Sequence, residues 1–306
     1  MTTSVTGDTG WVRPGGRRTI VWDAKAEYPT AVWGSCRARI RADDSSGGVY
    51  PGQMVYIPAG SFLMGNSGTG NDAINGHSDE FPQHSVYLSG YWIGKYEVTR
   101  GEYRQFMQAG GYANPAFWST DGWTWKGSRT EPRYWAPQQD WGTGTFTQTD
   151  NHPVVGVSYY ESEAFCNWAG GHLATEAQWE KAARWTGSHP NVYPWGDVWD
   201  AEKCKSPCDS LYPGWQTAPV GSYPSGASPY DCQDMAGNAW EWCQDWAKSY
   251  PGNANPFDYA DRYRVVRGGG FWYFDGDCGV SRYRCAFRYY GDSPGYDGGY
   301  GFRIAR

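Results

Sequence analysis

The sequence predicts an α+β fold, loop-rich and with few regular elements. Three observations predict it. The chain carries 42 Gly and 19 Pro but little Leu or Ile, a composition that breaks it into short segments. Helices can be placed by N-terminal signals at Thr99, Ser158 and Thr175, whereas strand-like runs occur near both ends. Aromatics make up 18% of the residues and Trp alone numbers 19. So many Trp could not all stand exposed without aggregation, and much of this bulk is therefore core.

Taken in order, residues 1–48 read as a β-rich remnant of an upstream, immunoglobulin-like module with a linker. Residues 18–22 form one strand-like run, residues 36–42 alternate with period two, and residues 43–48 are a Ser/Gly linker. About forty residues are too few for an independent sandwich, which needs around seven strands. The alternative is that these strands pack on the main domain, 49–306. There, residues 54–65 read as strand, turn, strand. Thr99 with Glu102 makes a capping box, with Val98 and Tyr103 as its hydrophobic staple. Ser158 with Glu161 opens a second helix that carries Ala164, Phe165 and Trp168 inward. Thr175 with Gln178 opens a third over 177–184, stapled by Ala174 and Trp179. Residues 113–151 hold Trp118, Trp123, Trp125, Trp135 and Trp141 at no steady period. They read as an ordered insertion pinned by aromatics rather than by regular elements.

Beyond Arg184 the chain is almost all loop and short strand, and it ends in an unusual tail. Residues 271–300 hold ten aromatics, six glycines and four aspartates, with no Leu, Ile, Lys, Glu or Met. That mixture suits neither a helix face nor a buried strand. Tyr and Trp supply rigid amphipathic contact area, and Gly frees the backbone, as in binding loops. The expectation is a binding surface.

Composition also excludes several classes. The net charge of −6 disfavours nucleic-acid binding, which wants a basic footprint. No run of about 18 apolar residues appears, so no membrane-spanning helix is expected. No secretory signal is present at Met1. Eight cysteines in no paired CxxC pattern argue against structural zinc and against a disulfide-dense scaffold. Such bridges as form lean toward an oxidising compartment, so the location expected is extracellular or at a bacterial cell surface. A Ser/His/Asp hydrolase is not supported, because the tail has no His and the chain no G-x-S-x-G elbow.

Five stretches identify a family. They are His152-Pro153-Val154-Val155-Gly156-Val157-Ser158, Trp168-Ala169-Gly170-Gly171-His172-Leu173-Ala174-Thr175-Glu176-Ala177-Gln178-Trp179-Glu180, Tyr193-Pro194-Trp195-Gly196-Asp197, Gly237-Asn238-Ala239-Trp240-Glu241-Trp242 and Gly301-Phe302-Arg303. In this order they resemble the formylglycine-generating enzyme, or sulfatase-modifying factor, family from about Met54 to the C-terminus. The resemblance implies a variant of the C-type lectin fold, which hosts both enzymes and pure binders. It also implies, for active members, a copper held by two cysteines in C-x4-C after Arg-Gly-Gly. Counted from Arg267-Gly268-Gly269, those places are Tyr273 and Cys278. A phenol is a poor substitute for a thiolate on Cu(I), so copper and the oxidase chemistry are disfavoured. The ergothioneine-type sulfoxide synthases resemble this domain too, but they draw iron-binding histidines largely from a separate helical domain.

The tail is also similar to the variable proteins of diversity-generating retroelements, which use this lectin-type domain. There, adenine-directed mutagenesis turns AAY codons into NNY, which never encodes Trp, Lys, Glu, Gln or Met. Residues 273–300 obey this restriction. The ligand-binding candidates are Trp272, Tyr273, Phe274, Asp275, Asp277, Tyr283, Tyr289, Tyr290, Asp292, Tyr296, Asp297 and Tyr300, interleaved with fixed-looking Arg282, Arg284, Arg288 and Pro294. Arg303 is expected to be buried and paired, and the other arginines to stack on neighbouring tyrosines. The aspartates read as recognition residues rather than paired catalytic carboxylates.

The family resemblance further implies a structural calcium at Asn238 and Glu241, a second calcium site impaired by Lys203, and a disulfide between Cys166 and Cys285. A local Cys204–Cys208 bridge is a further expectation. The function expected is non-catalytic recognition of a protein or cell-surface ligand through the tail. The rivals are a formylglycine-generating or related oxidative enzyme, and the tip of a longer surface protein.

Overall fold

The computed structural model describes residues 6–7, 20–21, 52–70, 72, 76–136, 138–139, 145–146, 148–208, 210–211, 216–260, 262–271, 280–293, 295 and 298–306. The chain divides into two units, 1–50 and 51–306. In the first, Thr6–Gly7 pairs antiparallel with Ile20–Val21, inside the run read at 18–22. The alternating stretch at 36–42 lies outside the described residues. The second unit carries everything that follows.

Its strands are short, as the glycine content dictates. β1 (Met54–Ile57) turns through Pro58 and Ala59 into β2 (Gly60–Met64). β3 (His84–Leu88) pairs antiparallel with β2, and β4 (Tyr91–Gly94) pairs antiparallel with β1. The three N-terminal signals each open a helix: α1 (Arg100–Gln108), α3 (Tyr159–Trp168) and α4 (Glu176–Arg184). Each is entered through a reciprocal capping box, on Thr99 with Glu102, Ser158 with Glu161, and Thr175 with Gln178. Two orphan N–H groups are thereby satisfied at each start. Between α1 and α3 the structure departs from the sequence reading. The insertion contains a regular helix, α2 (Thr120–Lys126), capped by Ser119, whose Oγ accepts from Gly122 N at 3.3 Å.

β5 (His172–Leu173), β6 (Trp240–Trp246), β7 (Tyr263–Arg267), β8 (Tyr289–Asp292), β9 (Tyr300–Phe302) and β10 (Ile304–Ala305) complete two four-stranded sheets. One has the order β1-β4-β10-β5 and the other β8-β7-β6-β9. β9 runs parallel to β6, with Trp240 opposite Tyr300 and Trp242 opposite Phe302, while β7 and β8 are antiparallel. β8 is thus an edge strand drawn from the tail. The aromatic excess is core, as composition requires. Phe302, fully buried, meets the rings of Tyr103 and Phe165, with Phe165 at 5.4 Å. Trp179 and Trp242 are each 1% exposed. No helix among the described residues is long and apolar enough to cross a membrane.

Candidate functional site

The tail is fixed at four places by buried guanidinium groups. Arg267 donates Nε to Glu176 Oε1 (3.0 Å) and Nη2 to Glu180 Oε2 (2.5 Å), and its Nη1 reaches the Cys285 and Phe287 carbonyls. Arg284 grips both oxygens of Glu80, at 2.6 and 2.8 Å. Arg288 grips both oxygens of Glu176, at 2.6 and 2.9 Å, and also the Lys248 carbonyl. Arg303 grips both oxygens of Glu241, each at 2.6 Å. Burial alone would raise the Glu176 carboxyl, but Arg288 and Arg267 hold it below its ordinary value. Forked, charge-assisted pairs of this kind fix both distance and plane. The expectation for Arg303 holds. For Arg288 the expected stacking also holds, 4.1 Å over Tyr250 and 5.8 Å over Tyr290, and its charge, like that of Arg284, is in addition spent on a buried carboxylate. Arg282 lies 5.9 Å from the Phe287 ring centre.

Between these anchors the side chains part company. Tyr289 is 41% exposed with its ring 5.3 Å from that of Trp240, and Asp292 is exposed with Arg262 Nε 4.0 Å away. Tyr300 is half-buried, edge-on to Trp242 at 5.0 Å. Strand alternation turns Tyr290 to the opposite side of β8 from Tyr289, where its hydroxyl bonds Asp79 and its ring meets Phe257 at 5.5 Å. Tyr283 is corrected outright. It is 2% exposed, stacked 5.2 Å from Trp199, and donates its hydroxyl to Gly270 O at 2.9 Å. It supports the surface from beneath. Trp272, Tyr273, Phe274, Asp275, Asp277, Cys278, Tyr296 and Asp297 lie outside the described residues.

Sequence reasoning missed three aromatics that join the tail. Trp199 and Trp195 stack with Tyr193 and Tyr283 into one satellite cluster, and Trp240 lies under Tyr289. The Tyr193–Asp197 stretch carries the family pattern, but nothing in its spacing points at residues ninety positions away.

The residues expected to hold calcium do not fit the ion. Both Glu241 oxygens are held by Arg303, and Oε2 also accepts from the Trp179 indole at 2.8 Å. Asn238 Oδ1 accepts from Ala218 N at 2.9 Å. A dication at this pair would have to displace a guanidinium from the same carboxylate. Glu97 lies close by and accepts from Asn238 Nδ2 (3.0 Å) and Ala239 N (3.1 Å). Burial pushes Glu97 well above the usual carboxylate range, with Asp234 and Glu241 adding to it, and burial pushes Asp234 up to about 6. Lys203 Nζ stands 3.8 Å from Asp200 Oδ2. Among the described residues no group of three or more His, Cys, Asp or Glu is placed to hold a metal.

The disulfide expectations are also corrected. Cys166 and Cys285 are both free and buried. The charges that act on Cys166 are those of Glu163 and Arg306, whereas those on Cys285 are Arg184, Glu180 and Asp72, a different part of the core. Burial pushes the Cys285 thiol up to about 12, which keeps it protonated and inert. Cys208 is disulfide-bonded and Cys204 keeps its thiol, so these two do not bridge each other.

Comparison with known proteins places this geometry. The model of the sulfatase-modifying factor enzyme 1-like domain matches residues 45–306. A hercynine oxygenase of Mycolicibacterium smegmatis is 35% identical over 242 residues, covering 71% of this chain and 54% of that protein. The chain thus spans about half the length of that relative. A formylglycine-generating enzyme of Thermomonospora curvata is 33% identical over 276 residues, covering 77% of this chain and 87% of its own. Treponema denticola variable protein 1 superposes with a TM-score of 0.58 at 22% identity, over 82% of this chain and 94% of its own, and so shares the fold.

Proposed function

The chain belongs to the sulfatase-modifying factor enzyme 1-like family, and from that membership we propose that it is a non-catalytic binding protein that displays its tail to a protein or cell-surface ligand. One observation carries the reading. Buried ion pairs hold Arg267, Arg284, Arg288 and Arg303, while Tyr289 and Asp292 between them face solvent. Framework and displayed residues are therefore separate sets, and the displayed set can change without disturbing the anchors. Pre-ordered tyrosine on a stiff support loses little entropy on binding. The retroelement-diversified form of this reading rests on the codon restriction in residues 273–300 and on the fold shared with the Treponema variable protein.

The rival is an oxidative enzyme, which the names of the hercynine oxygenase and formylglycine-generating relatives favour. Against it stands Tyr273, where the family resemblance calls for a copper thiolate. Copper titration with a thiol peptide substrate separates the two. No oxygen consumption is expected. Turnover abolished by Cys278→Ser would establish the rival. In parallel, Tyr289→Ala with Asp292→Ala is expected to abolish capture of the ligand while leaving the fold intact.

A further inference from the structure

We propose that β1 pairs edge to edge with β1 of a second copy of this chain, joining two sheets into one across a two-fold axis. This goes beyond the reading of the tail and does not depend on it.

The hydrogen bonds of the sheet fix which way each strand residue faces. β1 stands at the edge of the order β1-β4-β10-β5. On β4, Trp92 exchanges N–H and C=O with Arg306, at 2.9 Å each, and so is turned toward β10 and away from β1. Tyr91 and Ile93, opposite Ile57 and Val55, turn the other way, as does Lys95, whose N–H donates to Gln53 O at 2.8 Å. Main-chain groups alternate in this way along an antiparallel strand. Gln53, Val55 and Ile57 therefore bond inward to β4, whereas Met54 and Tyr56 point their N–H and C=O outward. Among the described residues no hydrogen bond meets those outward groups. Polar main chain without a protein partner must lie open to water, and Tyr56 is 51% exposed.

Register, side chains and charge all suit this edge to its own copy. A two-fold axis through Val55 sets Met54 of one copy opposite Tyr56 of the other. Every outward group then faces an outward group, and each such pair can exchange both bonds. A slip of one residue would set outward against inward. Opposite residues on a ladder project from the same face, so each Met54 thioether meets a Tyr56 ring, a favourable sulfur–aromatic contact. That ring is already seated against Trp92, with centres 5.3 Å apart. Residues 52–59 carry no charge, so nothing on the strand repels a second copy as an edge lysine would. The pairing is also bounded. Pro58 has no N–H, and its carbonyl is held by Lys181 Nζ at 2.8 Å. A two-fold contact closes on itself, which gives a dimer rather than a fibre. Where the tail binds as proposed above, a dimer would hold a repetitive ligand by both tails.

Sedimentation equilibrium of the full chain between about 1 and about 300 µM tests this, with an expected Kd of about 10–100 µM for so short a ladder. Amide hydrogen exchange at the two ends of that range locates the contact. The amides of Met54 and Tyr56 should slow by about tenfold in the dimer, while those of Val55 and Ile57, bonded inward, exchange alike at both. Met54→Pro deletes an outward donor and leaves the bonds to β4 in place. Tyr56→Lys sets a like charge on each copy. Each should weaken association about tenfold or more. Should the proline variant unfold, Tyr56→Lys, at a half-exposed side chain, carries the test alone. The proposal is overturned if the chain stays monomeric at about 300 µM, or if it dimerises with Met54 and Tyr56 exchanging as fast as in the monomer. Variants that associate like the parent also overturn it. So does a chain that stays monomeric but gains protection at Met54 and Tyr56 on adding a peptide of alternating Thr and Val, which would assign the edge to a foreign strand.

Discussion

At Gly291 an added Cβ would fall inside van der Waals contact of the Trp242 ring and 3.0 Å from Tyr300 Cε2. Neither ring can retreat easily, because Trp242 donates its indole N–H to Val157 O at 2.9 Å and Tyr300 is edge-on against it. Gly291→Ala is therefore expected to cost about 1–3 kcal/mol in denaturant unfolding. Tyr289→Ala, on the same strand but 41% exposed, should stay within about 0.5 kcal/mol of the parent. Asp234 supplies a pH signature. Its carboxyl is raised from 3.8 to about 6 by burial, so between those values the native state keeps a proton that the unfolded chain releases. Its contribution to stability therefore falls as pH rises through that window. Melting temperatures of the parent and of Asp234→Asn should converge in slope below about pH 4 and diverge between about pH 4 and 6, the variant lacking the decline. Equal slopes across the window would contradict the assignment.

Among the elements, α4 does the most to hold the tail. Glu176, Glu180 and Arg184 recur along it at intervals of four, and so project from one face toward Arg267, Arg288 and Asp72. Glu176→Gln would leave two buried guanidiniums short of an anion, and is expected to destabilise by about 3–5 kcal/mol. Limited proteolysis should then cut the tail early. The helix itself was legible from Thr175 and Gln178, because a capping box is a local pattern that a sequence displays directly. α2 was not legible: position 122, where the reciprocal Glu or Gln would stand, is Gly122, so only the Ser119 half of the signal exists. The ion pairs were beyond reach for a different reason. Arg284 and Glu80 are separated by 204 positions, and no periodicity relates residues so distant. Tyr283 was misread for the same cause, since its partner Trp199 lies in another loop.

For the molecule as a whole, the family was readable because it rests on long ordered stretches of residue identity, and the α+β class because capping signals and strand-like runs are local patterns. The site was readable only as a composition. Which tyrosines face outward depends on strand alternation and on partners brought in by the fold. The last strands close that fold. β10 lies between β4 and β5, β9 runs beside β6, and Arg303 between them is fully buried against Glu241. A chain lacking residues 303–306 is expected to show no cooperative thermal transition by calorimetry, whereas the parent should show one. Biosynthesis follows from the same arrangement. While residue 305 is still inside the ribosome, neither sheet has its full set of strands, so this domain folds only after its last strand has emerged. A premature stop codon anywhere in the tail would then yield refuse for the proteases instead of a shortened but folded domain.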